Sequence, residues 1–367
     1  MRVAVVGTGF ARQVHLPGYA LVDGVDLAAI CDSRPGRAQQ VAAEFGASRW
    51  CEDFDDILTM PDVDVVDICT PPRLHAPMAL EALSAGKAVI CEKPMASDLA
   101  AALEMTQRAA QSGARTAIHF QSRYIATYRY LRRIIANGYL GEIRLVLVTA
   151  LGDYALDPRL EPHYATWASM AEHGGGFLAS AMAHSLDLTQ YLFGPVHPGA
   201  VLKRTALSRK PLLAWDFIHD DPLSESSPTS GTVEVTGDDT AAVQGQLAGG
   251  GVVVAAGSWA VRNGGGTRIE AYGSDGTIKV DSAGSISAAR GAEPLEPLAV
   301  PPELTEEAPG RQDVPRLFAA LAADFMAALD GREEPGGGWP FATFADGLAV
   351  QRILAAAIGG QPVEDPS

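Results

Sequence analysis

Basic residues are in short supply: Lys and Arg number 28 against 44 Asp and Glu, a formal net charge of -16. So acidic a surface repels phosphate backbones and anionic headgroups, which sets aside nucleic acid and membrane as partners. Cysteine is scarce as well. Cys31, Cys51, Cys69 and Cys91 have no CxxC spacing and lie mostly in apolar stretches. That excludes a disulfide framework or a zinc knuckle and predicts buried free thiols. No apolar run is long enough to span a bilayer, and the opening "MRVAVVGTG" has no cationic segment leading into an apolar one. These absences predict a cytoplasmic protein in a reducing compartment. Low-complexity blocks and internal repeats are missing too. What is there is an ordinary globular composition, 367 residues with 47% hydrophobic content, enough for two domains with separate cores.

The first 120 or so residues alternate short apolar runs ("RVAVVG", "VDLAAICD", "VDVVDICTP", "KAVICEKP", "RTAIHF") with helical patterns such as "PGRAQQVAAEF" and "HAPMALEALSAG". Strands alternating with helices imply crossover units, hence an α/β, doubly wound parallel sheet over residues 1–121. Beyond the helical stretch "SRYIATYRYLRRIIANGYLG" the texture changes. Strand candidates "IRLVLVTALG", "GTVEVTG", "TAAVQGQLAGG", "GVVVAAGSWAV", "TRIEAYG" and "GTIKVD" follow with few helices between them. This predicts an α+β second domain over 122–367 with a large, mainly antiparallel sheet. Two late helices are expected in "VPRLFAALAADFMAALDG" and "TFADGLAVQRILAAAI", the C-terminal one able to pack back on the first domain. The polar "WDFIHDDPLSESSPTS" reads as an exposed loop.

Gly7-x-Gly9 follows the first strand, with Phe10 and Ala11 completing the turn. Gly7 permits a tight turn, and Gly9 lets the backbone approach a dinucleotide pyrophosphate at the start of the next helix. The second strand ends in Asp32, placed to accept hydrogen bonds from the adenosine ribose and to repel a 2′-phosphate, which favours NAD. Ser33, Arg34 and Arg37 follow and keep NADP as the alternative, because they would hold that phosphate if Asp32 turned away. Thr70 and Pro71 end one strand and Glu92-Lys93-Pro94 the next, both at carboxyl ends, where open α/β sheets bind ligands. A lysine fixed beside a proline that can set a rigid, even cis, turn is a positioned donor. In "GGGFLASAMAHSLD", Ser180, His184, Asp187 and Tyr191 recur at helical spacing and are expected on one face of a helix begun by the glycines.

With these segments taken together, the chain resembles the Gfo/Idh/MocA family, that of glucose-fructose oxidoreductase and inositol dehydrogenase. The resemblance rests on Gly7-x-Gly9, Asp32, "TPPRLH", "AGKAVICEKP", "GGGFLASAMAHSLD", "YGSDGTIKV" and "TFADGLAVQRIL", spread over almost the whole length. It implies an NAD(P)-dependent oxidoreductase moving a hydride between nicotinamide and a carbinol or keto carbon of a sugar or polyol. It also implies that Lys93 hydrogen-bonds the reacting oxygen and that His184, ending a D-x-G-x-H pattern, is its acid or base. The chain departs from that pattern with Ser180 and Met182 where the family has aspartate and glycine. Ser180 holds no charge to tune the imidazole, and Asp187, a turn further on, is the substitute candidate.

Other candidates are His75, facing the nicotinamide or simply opening a helix, and Arg123 and Tyr124, which resemble the family's segment joining the two domains and are expected to line the cleft. Tyr154, His163, Tyr164 and Trp167 form a polar and aromatic group suited to sugar faces. Asp238 and Asp239 read as turn residues, and no His, Cys and carboxylate spacing points to a metal. A catalytically silent, cofactor-sensing regulator of the same fold is the competing reading, favoured by Ser180 and opposed by retention of Lys93 with His184. A broad sheet with few helices to cover it also predicts self-association, as a homodimer or homotetramer.

Overall fold

The computed structural model describes residues 1–153, 155–156, 167–213, 229–305, 310–332 and 338–357. These divide into two compact units, and the division is discontinuous: Met1–Arg129 joins Pro301–Leu348 in the first, Tyr130–Val300 joins Ala349–Ser367 in the second. The single cut expected at 121/122 therefore does not describe the units, because the chain returns to its first core after completing most of the second.

In the first unit six parallel strands, β1 (Arg2–Val6), β2 (Asp26–Cys31), β3 (Trp50–Cys51), β4 (Val65–Ile68), β5 (Ala88–Cys91) and β6 (Thr116–Ile118), lie in the order β3-β2-β1-β4-β5-β6. The central strands are apolar throughout because both faces are covered, as the near-continuous burial of Val3–Val6, Val65–Ile68 and Ala88–Cys91 records. The order reverses between β1 and β4. That reversal opens the crevice in which doubly wound sheets hold ligands.

The helix expected after the glycine turn is broken in two, α1 (Gly9–Gln13) and α2 (His15–Tyr19), at Val14. Pro17 accounts for the break, since a proline ring collides with the carbonyl four residues back, here that of Gln13. On the same core sits α10 (Val314–Leu329), whose Leu317, Phe318, Leu321, Ala322 and Phe325 are buried with Val3, Val5, Ile30 and Tyr19. All four cysteines are free and buried.

The second unit holds an eight-stranded sheet in the order β16-β15-β14-β13-β7-β12-β11-β8, antiparallel except for β7 with β12. Its strands are β7 (Ile143–Leu151), β8 (Val196–Arg204), β11 (Thr240–Leu247), β12 (Val252–Ser258), β13 (Gly266–Gly273), β14 (Gly276–Val280), β15 (Ile286–Arg290) and β16 (Glu296–Leu298). A two-stranded ribbon, β9 (Arg209–Leu213) with β10 (Thr229–Glu234), stands apart. One face of the large sheet is buried along Val146, Val148, Val253, Ala255, Ile269 and Ala271, with Phe177 and Trp259 edge to face above it. Alternate residues Leu145, Leu147, Val254 and Ala256 are half-buried and Val252 is exposed, so the opposite face carries an apolar stripe on β7 and β12, at most half-covered among the described residues and flanked by Gln244 and Gln246 on β11 and the Glu270–Lys279 ion pair on β13 and β14.

Candidate functional site

In the first unit the glycine turn leaves β1, and its backbone dictates its sequence. Gly7 has φ +88°, and a Cβ there would lie 2.7 Å from the carbonyl oxygen of Cys69 on the neighbouring strand end. At Gly9 an added Cβ would meet nothing within 4 Å. That bare, exposed backbone is what a pyrophosphate requires, so the turn fits a dinucleotide. Phe10 is exposed and Ala11 buried beside it.

Asp32 stands at the end of β2 as expected, but its carboxylate is already engaged. Oδ2 accepts from the Thr8 amide (3.0 Å), the Thr8 hydroxyl (2.6 Å) and an Arg34 nitrogen (2.8 Å), while Oδ1 accepts from the Arg34 amide (3.0 Å) and Nε (2.9 Å). Burial would raise its pKa, yet Arg34 and Thr8 outweigh this and hold it well below the ordinary range. Arg34 and the buried Arg37 both donate to Thr8 Oγ1, at 3.0 and 3.1 Å. Ser33 is exposed. The expected open acceptor for ribose is thus a capped ion pair, with Thr8, which the sequence reading missed, at its hub.

Thr70 and Pro71, half-buried, leave β4. His75, the first residue of α5 (His75–Ser84), lines no open face: it is fully buried, its ring nitrogens 2.9 Å from the Pro94 carbonyl and 2.7 Å from that of Thr70. Burial lowers its pKa. It therefore braces the two turns against each other instead of facing a cofactor. The Lys93–Pro94 peptide is cis, and Lys93 is half-buried at the carboxyl end of β5.

Glu92 is buried, and three donors hold it. Oε1 lies 2.9 Å from His15 Nε2 and 2.5 Å from His119 Nδ1, and Oε2 accepts the Lys93 amide at 3.0 Å. His15 Nδ1 lies 2.8 Å from Asp67 Oδ2 and 3.2 Å from Cys69 Sγ. The sequence offered no metal-like spacing, yet folding gathers His15, Glu92 and His119, and His15, Asp67 and Cys69, into two overlapping sets of ligand-type atoms. One signal was available in "VDVVDIC": a carboxylate amid a central apolar strand demands a buried partner.

Arg123 and Tyr124 are not cleft residues in this unit. Both are buried; Arg123 donates to Asp346 at 3.1 Å and the Tyr124 hydroxyl to Asp324 at 3.0 Å, with the Tyr124 ring in the core. An amphipathic side chain that finds an internal acceptor gains more from burial than from exposure.

In the second unit the glycines open a π-turn, Leu178–Met182, with the Met182 amide donating to the Phe177 carbonyl, before α8 (Ala183–Phe193) begins. Asp238 fixes its start: its carboxylate accepts the Leu178 amide at 2.8 Å, and Gly176, φ +115°, leaves room for an Asp238 oxygen that a Cβ would approach to 2.6 Å. The wider turn splits the expected stripe. Ser180 and Asp187 are buried, while His184 and Tyr191 are half-buried. Ser180 Oγ has no hydrogen-bond partner among the described residues. Asp238 and Asp239 do lie in a turn, both buried. Tyr154, His163, Tyr164 and the Trp167 side chain lie outside the described residues, as does most of the polar loop. Among the described residues no helix is long and apolar enough to cross a membrane.

An uncharacterized oxidoreductase of Synechocystis is 29% identical over 87% of this chain and 82% of its own length. The D-glucoside 3-dehydrogenase of Escherichia coli is 34% identical over 53% of this chain, a match that spans about half of that enzyme. A levoglucosan dehydrogenase in complex with NADH and levoglucosan superposes with a TM-score of 0.80 at 24% identity, covering 98% of this chain and 96% of that one, a likeness of fold. Residues 1–120 match the model of an oxidoreductase family with an NAD-binding Rossmann fold, and 128–279 match the Gfo/Idh/MocA C-terminal domain. The chain belongs to the Gfo/Idh/MocA oxidoreductase family.

Proposed function

We propose that the protein is an NAD-dependent oxidoreductase acting on a carbinol or keto carbon of a sugar, polyol or related derivative. The observation that carries this reading is the convergence of three segments at the carboxyl ends of β1, β4 and β5: the bare Gly7–Gly9 turn, Thr70–Pro71, and Lys93 on its braced turn. Gly7, Gly9, Phe10 and Ala11 would hold the pyrophosphate, and Thr70 and Pro71 the nicotinamide half. The bound nicotinamide would supply hydride chemistry. Lys93 is assigned the hydrogen bond to the reacting oxygen and His184 its proton, a role consistent with the π-turn preceding it, since such turns recur at functional sites. The E. coli glucoside dehydrogenase supports the sugar class. The test is fluorescence titration with NADH, followed by turnover with a panel of sugars, polyols and their keto forms. Tight NADH binding without turnover would favour the silent regulator, which the uncharged, buried Ser180 recommends as the second reading.

The capped Asp32 makes cofactor choice depend on Arg34. Arg34→Ala removes the guanidinium from Oδ1, leaves Oδ2 on Thr8 and takes away a phosphate ligand, so the NAD over NADP affinity ratio should rise about tenfold, one good charge-assisted contact. Dissociation constants for both cofactors check this; an unchanged ratio refutes it.

We further propose that the open face of the large sheet, with Leu145, Leu147, Val252, Val254 and Ala256, pairs with a second copy in a homodimer or homotetramer, in the cytoplasm. Light scattering at micromolar concentration should report a multiple of 38.5 kDa.

A further inference from the structure

We propose that Asp67, His15, Glu92 and His119 form a buried tetrad in which His15 is an imidazolium clamped between two carboxylates, and that His15 and His119 are positioning residues for Lys93. The argument begins with counting protons. Both ring nitrogens of His15 face carboxylate oxygens, Nδ1 at 2.8 Å from Asp67 and Nε2 at 2.9 Å from Glu92. Ionised carboxylates only accept, and a neutral imidazole donates once, so satisfying both contacts takes two ring protons. His119 donates its Nδ1 proton to the same Glu92 oxygen. Its Nε2, buried and without a partner among the described residues, then keeps the lone pair. Two carboxylates and one imidazolium leave a single net negative charge beside Lys93.

The surroundings support the charge assignment. His15 is fully buried and Phe318 stacks on its ring at 3.9 Å, favourable to a cation. Burial would depress the His15 pKa, but Asp67 and then Glu92 outweigh it and raise it to about 9. Burial lowers that of His119 further than Glu92 raises it. The other titratable groups facing the tetrad are Tyr19 on α2, Cys69 beyond β4 and Cys91 on β5, all raised well above their ordinary values by burial. Each stays neutral near pH 7, leaving His15 the only internal cation among these groups.

A shared metal ion is disfavoured by distance. Ligands about 2.0–2.1 Å from a tetrahedral ion stand roughly 3.3 Å apart. Here His15 Nε2, His119 Nδ1 and Glu92 Oε1 are 2.9, 3.1 and 2.5 Å from one another, which are hydrogen-bond separations. Protons hold this cluster together.

The purpose follows from the remaining oxygen. With Oε1 fixed by two histidines, Oε2 is aimed at the Lys93 amide, so the root of the lysine side chain is anchored to the core through one carboxylate. A folded pKa raised above 6.5 stabilises fully at pH below 6.5, and that contribution is lost as pH rises through about 9. Above that pH the imidazolium surrenders its proton to solvent and Asp67 and Glu92 face a neutral ring. Glu92 then rests on His119 and a neutral His15 ring, and the Lys93 turn is held less firmly.

This rests on the reading of Lys93 above, and the test separates the two. Histidine-selective ¹⁵N NMR of the wild-type protein, with His15 assigned through His15→Gln, should show both His15 nitrogens protonated at pH 7 and titration near pH 9. A neutral His15 at pH 7, or stoichiometric metal in the purified protein, overturns the tetrad. In His119→Leu, kcat should fall about tenfold with NADH affinity within twofold of wild type, and His119→Gln, which still donates to Glu92, should restore most of it. The alkaline fall of kcat should move to higher pH in the Leu variant, because Glu92, relieved of one donor, holds the His15 proton more tightly. An unmoved pH profile and unchanged kcat overturn the positioning role. If Lys93→Met leaves turnover intact, the reading of Lys93 fails while the NMR result stands by itself.

Discussion

Lys93→Met is expected to reduce turnover by roughly 10²- to 10⁴-fold while leaving NADH affinity nearly intact, and His184→Ala to do the same. Methionine keeps the aliphatic stem and removes the donor, so the packing of the turn survives and the loss isolates the hydrogen bond to the reacting oxygen. Alanine at His184 removes the imidazole proposed to carry the proton, at the second residue of α8, a half-buried position whose truncation leaves little cavity. Because a proton donor and a proton carrier acting in one step are not independent, the double variant should lose less than the product of the single losses. Steady-state kinetics with the substrate found in the panel, together with NADH titrations, check both claims. Full activity in His184→Ala would make that imidazole a structural residue.

Phe318→Ala is expected to destabilise the first unit by about 3–5 kcal/mol, the range for a fully buried aromatic truncated to alanine. Phe318 is completely buried and touches three polar-edged rings: it stacks on His15 at 3.9 Å and meets Tyr19 and His119 edge to face at 5.0 and 5.1 Å. Gly18 faces it so closely that a Cβ there would lie 2.7 Å from the Phe318 ring. The cavity left by truncation would therefore open between α2 and the tetrad. Urea denaturation followed by fluorescence should show the loss in the transition of the first unit, and cofactor binding should weaken with it. A shift under about 1 kcal/mol would mean that the neighbouring rings collapse into the space.

The doubly wound sheet was legible because its central strands are apolar on both faces, and all five expected strands are present. The sixth, β3, is two residues long and offers no period to read. In the second unit β8 escaped because it contains Pro198 and Gly199; it lies at the sheet edge, where a missing amide is tolerated, with a register shift opposite Pro198. The glycine turn and the Lys93 turn were legible from local sequence. The state of Asp32 was not, since Arg34 can flank an acid without covering it, and only the fold brings Thr8 beneath both. Tyr124 and Arg123 were read as cleft residues because sequence cannot say that Asp324 and Asp346, some 200 positions later, supply their acceptors. The tetrad was hidden for the same reason: its members follow His15 at 52, 77 and 104 residues.

The return of the chain to its first core has a consequence for synthesis on the ribosome. Strands β1 to β6 emerge first, but the apolar surface that α10 covers stays bare until residues 314–329 have been made. At about 5–20 residues per second, translating residues 130 to 300 takes roughly 10 to 30 seconds. Over that interval a nascent half-built sheet carries its unpaired hydrophobic side outside the exit tunnel, a natural client for a holding chaperone. Vectorial folding, first segment first, is thus unavailable to this unit: every strand of the second unit's large sheet has been made while the first still waits for the helix that covers its core.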